Sequence, residues 1–287
     1  MARSAKLYEA DVTQFAVIAE DPKIRLQDAF WDEVVAALNI QASQHVAKGW
    51  TLSATVASYP NAGAVPATAI PIVVMEKPDN GVLGCHQWKD GHASAVVRWE
   101  ANGAWSVAAS HEIIETIIDP TLQLMRPGPN PRGGDAASTF PIVNFLVEAC
   151  DPCAGTTYPA VPGARVSVSD FCLPAYYAQG GFGPFTYCNQ AIHLWNPDSM
   201  VAIAGYATWV EGSDWYQFFG GNPHGPFTAE QVLANAMRSG RRGAVDRFSK
   251  FATHNYERDR SRSKPKGPGT RAKSNNALTA WVAGLRR

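Results

Sequence analysis

The pattern of apolar and polar positions along the chain predicts both helices and short strands. Apolar residues recur on one face over residues 29–47, which predicts an amphipathic helix that ends at Gly49. A second helix is predicted over residues 105–118, where Asp119 and Pro120 would end it. Apolar runs predict strands over residues 51–58, 70–76, 93–99 and 166–171. Proline and glycine predict loops over residues 59–66, 78–84 and 127–135.

The C-terminal end of the chain has a different character. Helical periodicity resumes over residues 228–254, but residues 257–276 are rich in Arg, Lys, Ser, Pro and Gly and predict a flexible linker. A short apolar segment over residues 277–285 follows. We therefore expect a folded α+β domain over residues 1–225 and a basic, partly helical and partly flexible tail over residues 226–287.

Composition and charge support this division. The 287 residues are 46% hydrophobic and 17% charged, which excludes a mostly disordered chain. The formal net charge of zero combines 11 basic and 21 acidic residues before position 226 with 14 basic and 4 acidic residues after it. The basic tail has two interpretations: contact with a polyanion such as nucleic acid, or docking to a protein assembly. Aromatic residues are sparse in it and no base-reading motif is present, which favours docking.

Targeting signals and cysteines bear on the location of the protein and on the state of its thiols. The apolar stretches are much shorter than the ~20 residues that span a bilayer, and the first ten residues lack the apolar run of a signal peptide. A cytoplasmic location is the default expectation, with export by a signal-independent route as the alternative. Five cysteines are too few and too uneven to form a disulfide framework, so reduced thiols are expected, with one or two disulfides as the alternative.

The predicted helix over residues 105–118 carries the residues that indicate chemistry. Residues i and i+4 lie on one face of a helix, so His111 and Glu115 can bind one metal ion, and Glu112 lies ~100° around the helix, within reach of a water on that ion. This is the arrangement of the zinc-protease helix H-E-x-x-H with Glu in place of the second His. Because these polar residues interrupt an isoleucine-rich segment, and buried ionisable groups are costly unless paired or metal-bound, the pattern favours a metal site over a solvated helix.

A third ligand has to come from elsewhere in the chain. Asp119 is ~12 Å from His111 along a helix axis, so we expect it to end the helix or to orient a ligand. Glu148 and Asp151 follow an apolar run and are the better candidates, with Glu148 as ligand and Asp151 as the alternative. Two cysteines in the same segment form a lone C-x-x-C, which is a weak zinc signal. Metal ligation, buried thiols and disulfides to Cys172 or Cys188 remain open for Cys150 and Cys153.

The helix motif and the segment after it resemble a group of bacterial and fungal zincin-like proteins. In that group H-E-x-x-E-x-x-x-D-P is followed by G-E-x-x-D-x-C, and here the second element is Glu148, Asp151 and Cys153 with Val147 in place of the glycine. The resemblance extends more weakly to residues 169–174 and to Gly205-Tyr206, and spans roughly residues 50–206.

This resemblance implies a zincin-like metallopeptidase domain with a mixed sheet and an active-site helix. One Zn²⁺ would be bound by His111, Glu115 and Glu148, and Glu112 would act as general base in the hydrolysis of a peptide or protein substrate. Residues 84–97 would form the edge strand of the cleft. Tyr206, His193 and His86 would be the candidates for contact with the oxyanion or the substrate.

The Glu at the position of the second His has a consequence for the metal. An oxygen-rich donor set accepts Mn, Fe or Ca more readily than the common two-His set, and a more neutralised ion acidifies its water less. The alternative function is therefore a non-catalytic module that a metal stabilises and that the basic tail docks to a larger assembly.

Overall fold

Two five-stranded sheets pack against one buried helix in the computed structural model, which describes residues 13–78, 83–89, 91–133, 140–212 and 214–227. The fold is of the mixed α+β type, as the sequence predicts. The basic helix, linker and apolar end predicted after residue 227 lie outside the described residues. None of the helices in the described ranges has the length and apolar character needed to cross a bilayer.

The first sheet is mixed, as predicted. It comprises β1 (Thr13–Ala19), β2 (Ala54–Ser58), β3 (Ile70–Met75), β4 (Gly84–Lys89) and β5 (His92–Arg98), in the order β2-β1-β3-β5-β4. Four strands run parallel, and β4 pairs antiparallel with β5 at one edge. The segment over residues 84–97 is thus a hairpin of two strands, of which only β4 is an edge strand.

The connection from β1 to β2 begins with α1 (Pro22–Gln27), which precedes the first predicted helix. That predicted helix is divided into α2 (Trp31–Ile40), a π-helical segment (Gln41–His45) and α3 (Val46–Trp50). The predicted end at Gly49 is wrong, because the helix ends at Trp50 and Thr51 adopts a φ of 55°. Gly49 instead packs so closely on the Leu173 side chain that a Cβ would overlap it. The predicted strand over residues 51–58 consequently begins only at Ala54.

The helix that carries the candidate site, α4 (Trp105–Ile118), has the predicted bounds. One side, with Ala109 and Ile113, packs in the core between the first sheet and α2. The opposite side, with Ile114 and Ile118, belongs to a second core. Because α4 is enclosed by both cores, its polar residues are buried together with its isoleucines.

The second sheet is antiparallel and was mostly missed by the sequence pattern. It comprises β6 (Met125–Pro129), β7 (Ile142–Leu146), β10 (Tyr206–Glu211), β11 (Asp214–Phe219) and β12 (Asn222–Phe227), in the order β12-β11-β10-β7-β6. The predicted loop over residues 127–135 is wrong for its first three residues, which belong to the edge strand β6. Proline is tolerated there because an edge strand has fewer ladder hydrogen bonds to donate.

The remaining elements lie between the two halves of this sheet in sequence. The short strands β8 (Thr157–Pro159) and β9 (Ser167–Ser169) pair with each other, and one helical turn, α5 (Pro174–Tyr177), follows. The predicted strand over residues 166–171 is therefore shorter than expected. Ser110 on α4 accepts a hydrogen bond of 2.7 Å from the backbone N–H of Ser169, which ties α4 to β9.

Candidate metal centre

Helix α4 places three ionisable side chains in the interior of the protein. His111 is 5% exposed, and Glu112 and Glu115 are fully buried. His111 and Glu115 are one turn apart, and Nε2 of His111 lies 3.2 Å from Oε2 of Glu115. The i, i+4 arrangement predicted from the sequence is therefore present, in a setting where an uncompensated charge would be costly.

The edge strand β4 brings a second histidine to the cluster. Nδ1 of His86 lies 3.0 Å from Oε2 of Glu112, and the same nitrogen is 3.7 Å from Oε2 of Glu115. Gly84, two residues earlier on β4, faces the other oxygen of Glu112, and a Cβ at Gly84 would lie 2.5 Å from that Oε1. The absence of a side chain at Gly84 thus gives Glu112 the space it occupies.

The segment after β7 supplies the remaining carboxylates. Oδ1 of Asp151 lies 3.1 Å from Nε2 of His111, and Oε2 of Glu148 lies 3.7 Å from Nε2 of His86. The backbone N–H of Cys150 donates a hydrogen bond of 3.0 Å to Oε1 of Glu115, which fixes the segment against α4. The cluster thus joins two histidines and four carboxylates from three parts of the chain.

The contacts around His111 differ from ordinary hydrogen bonds. Its Nε2 is close to both Glu115 and Asp151, yet neither contact has hydrogen-bond geometry, and Oε2 of Glu115 and Oδ1 of Asp151 have no hydrogen-bond partner. Donor atoms bound to one zinc ion at ~2.0–2.1 Å in a tetrahedron are about 3.3 Å apart. The separations of 3.1 and 3.2 Å match this spacing. The donor set around His111 therefore fits a divalent ion.

Within the described part of the chain, two groups of residues have possible metal-ligand atoms that all lie within 4.8 Å of one another. One group is His111, Glu115 and Cys150, and the other is His86, Glu115 and Glu148. Glu115 belongs to both. The predicted ligand Glu148 is grouped with His86, whereas Asp151, the predicted alternative, is the carboxylate next to His111.

The charges of the cluster shift the pKa values of its members. Burial alone would lower the pKa of His111, but the Glu115 and Asp151 carboxylates raise it well above 6.5. Burial also acts to lower the pKa of His86, but the Glu112 and Glu115 carboxylates outweigh burial and raise it. Burial favours a higher pKa for Glu115, but His111 and His86 lower it. Burial and the Glu115 charge raise the pKa of Asp151 to about 7. Without a metal ion, protons compensate the charge of the cluster.

A narrow cavity reaches the cluster from the side of the second sheet. Glu148, Asp151 and Tyr206 line it, together with Tyr176 and Tyr177. It has room for about one water molecule. Tyr206 also lies beside Asp151 and acts to lower the pKa of that carboxyl, and Gly205 before it packs on the Pro152 carbonyl, where a Cβ would overlap. The Gly-Tyr pair therefore places the tyrosine beside the carboxylates.

Two of the predicted residues lie apart from the metal-binding groups. The Asp119 carboxylate accepts hydrogen bonds from the backbone N–H of Leu124 and from the Thr121 hydroxyl, so it stabilises the turn after α4. His193 stacks on Phe185 and contacts the Ala178 carbonyl. Its predicted contact with an oxyanion has no support in the geometry of the described residues.

The cysteines are free thiols in the structure. Cys150 and Cys153 are buried, and burial raises the pKa of both thiols well above 9. The thiol of Cys150 faces the His111 carbonyl at 3.8 Å, and Cys153 contacts Cys172. A neutral buried thiol is a poor nucleophile, and the Cys150 thiol is one of the atoms that could hold an ion together with His111 and Glu115.

From the sequence, His86 is expected only as a contact to the oxyanion or the substrate, and not as a metal ligand. A single histidine in a short strand has no local feature that marks it as a ligand, and its importance follows from the position of β4 beside α4. The sequence pattern puts Gly84 at the end of a predicted loop and at the start of the expected edge strand, and neither marks it as a neighbour of Glu112. Its role against Glu112 becomes visible once both are placed.

Comparisons with known proteins identify no relative: no family model, no curated protein and no solved structure matches the chain. The resemblance to zincin-like proteins therefore stays a prediction.

Proposed function

We propose that this protein is a divalent-metal-dependent hydrolase of the zincin-like type that cleaves peptide bonds. One observation carries the proposal: His111 and Glu115 are buried one helical turn apart, with Nε2 and Oε2 3.2 Å from each other. Glu112, directly after His111 on the same helix, is also buried. The mixed sheet with an antiparallel edge strand beside this helix is in keeping with the zincin-like domain that the sequence resembles.

The donor set suits a divalent ion, which when bound would polarise a substrate carbonyl and acidify a water molecule. His111 and Glu115 provide donor atoms, and Asp151 lies at ligand spacing from the same histidine nitrogen. Oxygen donors outnumber nitrogen donors, so we expect zinc or manganese.

Glu112 would be the general base. Its Oε2 is occupied by His86, whereas its Oε1 is buried and has no hydrogen-bond partner. Oε1 is therefore the oxygen available to take a proton from the attacking water and to deliver it to the leaving amine. Tyr206, which lines the cavity beside Asp151, is placed to donate a hydrogen bond to a developing oxyanion.

The deciding experiment is the Glu112→Gln variant of the full chain. It preserves the size of the side chain but removes the base, so peptide hydrolysis should fall by about 10²–10⁴-fold while the bound metal remains. Cleavage would be followed by mass spectrometry on a diverse peptide mixture, with metal content measured on the same samples. Glu100→Gln is the matched control, because Glu100 pairs with Arg98 on the surface.

A second candidate is a metal that stabilises the fold without catalysis, and the burial of the cluster favours it. All six cluster residues are 5% exposed or less, and the cavity beside them has room for about one water molecule. A peptide can therefore enter only if the surrounding segments move. This candidate predicts no cleavage by the native protein, no effect of Glu112→Gln on any product, and a lower melting temperature after chelation. Docking through the basic tail remains a prediction for residues outside the described ranges.

A further inference from the structure

We infer that the cluster binds two divalent ions, with Glu115 as the carboxylate shared between them. The first position lies at His111 and Asp151, and the second at His86 and Glu148. This inference rests on the metal site of the proposed function but goes beyond the one ion that the sequence suggests. Dinuclear sites of this kind have ions about 3.5–4 Å apart.

The shared position of Glu115 is the first argument. Its Oε2 lies 3.2 Å from Nε2 of His111, and ligand atoms of Glu115, His86 and Glu148 all lie within 4.8 Å of one another. One carboxylate therefore belongs to both histidine groups. Each histidine has a further carboxylate of its own beside it, at 3.1 and 3.7 Å. A single ion would leave one of these His–carboxylate pairs without a role in ligation.

The orientation of His86 is the second argument. An ionised Glu112 can only accept a hydrogen bond, so the contact of 3.0 Å requires Nδ1 of His86 to carry the proton. With the proton on Nδ1, Nε2 is the nitrogen that can bind an ion, and it lies 3.7 Å from Oε2 of Glu148. A carboxylate that fixes the tautomer of a histidine in this way is common behind metal ligands.

Charge is the third argument. Glu112, Glu115, Glu148 and Asp151 bring up to four negative charges into a region where each is at least nine-tenths buried. One divalent ion compensates two of these charges, and a second ion compensates the other two.

The unused donor atoms are the fourth argument. Oε2 of Glu115 and Oδ1 of Asp151 are buried in the cluster without hydrogen-bond geometry to any neighbour. Buried carboxylate oxygens are normally hydrogen-bonded, so these atoms indicate that ions complete the cluster.

The test is metal stoichiometry and metal–metal coupling in the full chain. The protein would be stripped with a chelator and titrated with Mn²⁺ or Zn²⁺, and bound metal measured by elemental analysis. We expect two equivalents in the native protein, about one in His86→Ala and in Glu148→Gln, and a loss of affinity at both positions in Glu115→Gln. His193→Ala is the control and should keep both. The Mn²⁺ form should show the paramagnetic resonance spectrum of a spin-coupled pair.

The outcomes separate this inference from the proposed function. If the native protein binds one equivalent of metal and His86→Ala binds the same amount, the second position is overturned and the first is not. Two equivalents whose Mn²⁺ spectra show no coupling have the same consequence. No bound metal in the native protein overturns both proposals. If His86→Ala does not fold by circular dichroism, Glu148→Gln decides the matter, because it replaces one oxygen by nitrogen with almost no change in volume.

Discussion

Gly84 on the edge strand β4 offers the sharpest test of the geometry around Glu112. In Gly84→Ala the new Cβ would lie 2.5 Å from Oε1, 3.0 Å from Cγ and 3.1 Å from Cδ of Glu112. Ordinary separations between such atoms are about 3.5 Å, so the carboxylate has to move by roughly 1 Å. The three atoms nearest to this Cβ all belong to the Glu112 side chain and none to the backbone, so movement of that side chain can relieve the overlap.

That displacement changes the histidine which Glu112 orients. The contact between Glu112 and Nδ1 of His86 is 3.0 Å long, and a shift of this size breaks or misdirects it. Loss of a carboxylate behind a metal-ligating histidine typically weakens metal affinity by about 10–100-fold. We therefore expect an affinity loss of that size at the position of His86, and a loss of stability of about 1–3 kcal/mol from overpacking.

The assay is calorimetric titration of the stripped protein with metal, combined with urea denaturation. Gly63→Ala is the control, since its Cβ would come no closer than 3.3 Å, to a side-chain oxygen of Asn61. Native metal affinity in Gly84→Ala, in a protein that folds normally, would refute the reasoning that Glu112 positions His86.

Three further predictions concern pH, the turn after α4 and the anchor to β9. The stabilisation of the protein by metal should increase from pH 5.5 to 8. The pKa of Asp151 is raised to about 7 and that of His111 is also raised, so the metal-free protein loses stability as pH rises through this window. Metal binding becomes stronger over the same window because its ligands are deprotonated. Asp119→Ala should leave metal stoichiometry unchanged and cost about 1–2 kcal/mol of stability, measured in urea, because it leaves two hydrogen-bond donors unsatisfied. Ser110→Ala should cost about 1–3 kcal/mol in the same assay, because the buried N–H of Ser169 loses its acceptor.

Each of these predictions has a clear contradiction. A shift in melting temperature on metal addition that is constant across the pH range contradicts the charge balance inferred for the cluster. Loss of metal in Asp119→Ala would make that residue a ligand. For Ser110→Ala the control is Ser43→Ala, because the Ser43 hydroxyl donates to the Asn39 carbonyl in a partly exposed place, and equal losses in both variants would contradict the anchoring role of Ser110.

The sequence predicted elements whose local pattern agrees with their final surroundings. Helix α4 was predicted with its observed bounds because its isoleucines continue up to an Asp-Pro stop. The strands β3 and β5 were predicted within one residue because they are buried runs rich in valine and isoleucine. The buried His111 and Glu115 were predicted to face each other because helix geometry alone determines that relation.

The second sheet escaped prediction because its outer strands resemble loops. The sequences of β6, Met-Arg-Pro-Gly-Pro, and β12, Asn-Pro-His-Gly-Pro-Phe, contain the residues that usually mark turns. They become strands only through pairing with β7 and β11, which is information that no local pattern contains. The place of His86 in the cluster has no local signal for a related reason, since its partner Glu112 lies 26 positions away in sequence.

The prolines at both edges of the second sheet have a consequence for how the protein meets other copies of itself. Pro127 and Pro129 on β6 and Pro223 and Pro226 on β12 lack the N–H that an incoming strand would need. Neither edge offers a continuous row of donors, so this sheet is a poor template for growth into fibrils or for domain exchange at high concentration. The first sheet has no proline in its edge strands β2 and β4. Self-association through strand addition should therefore begin at the first sheet. A lysine or proline in β2 should suppress it, and β2 is the suitable edge strand because it contributes no residue to the metal cluster.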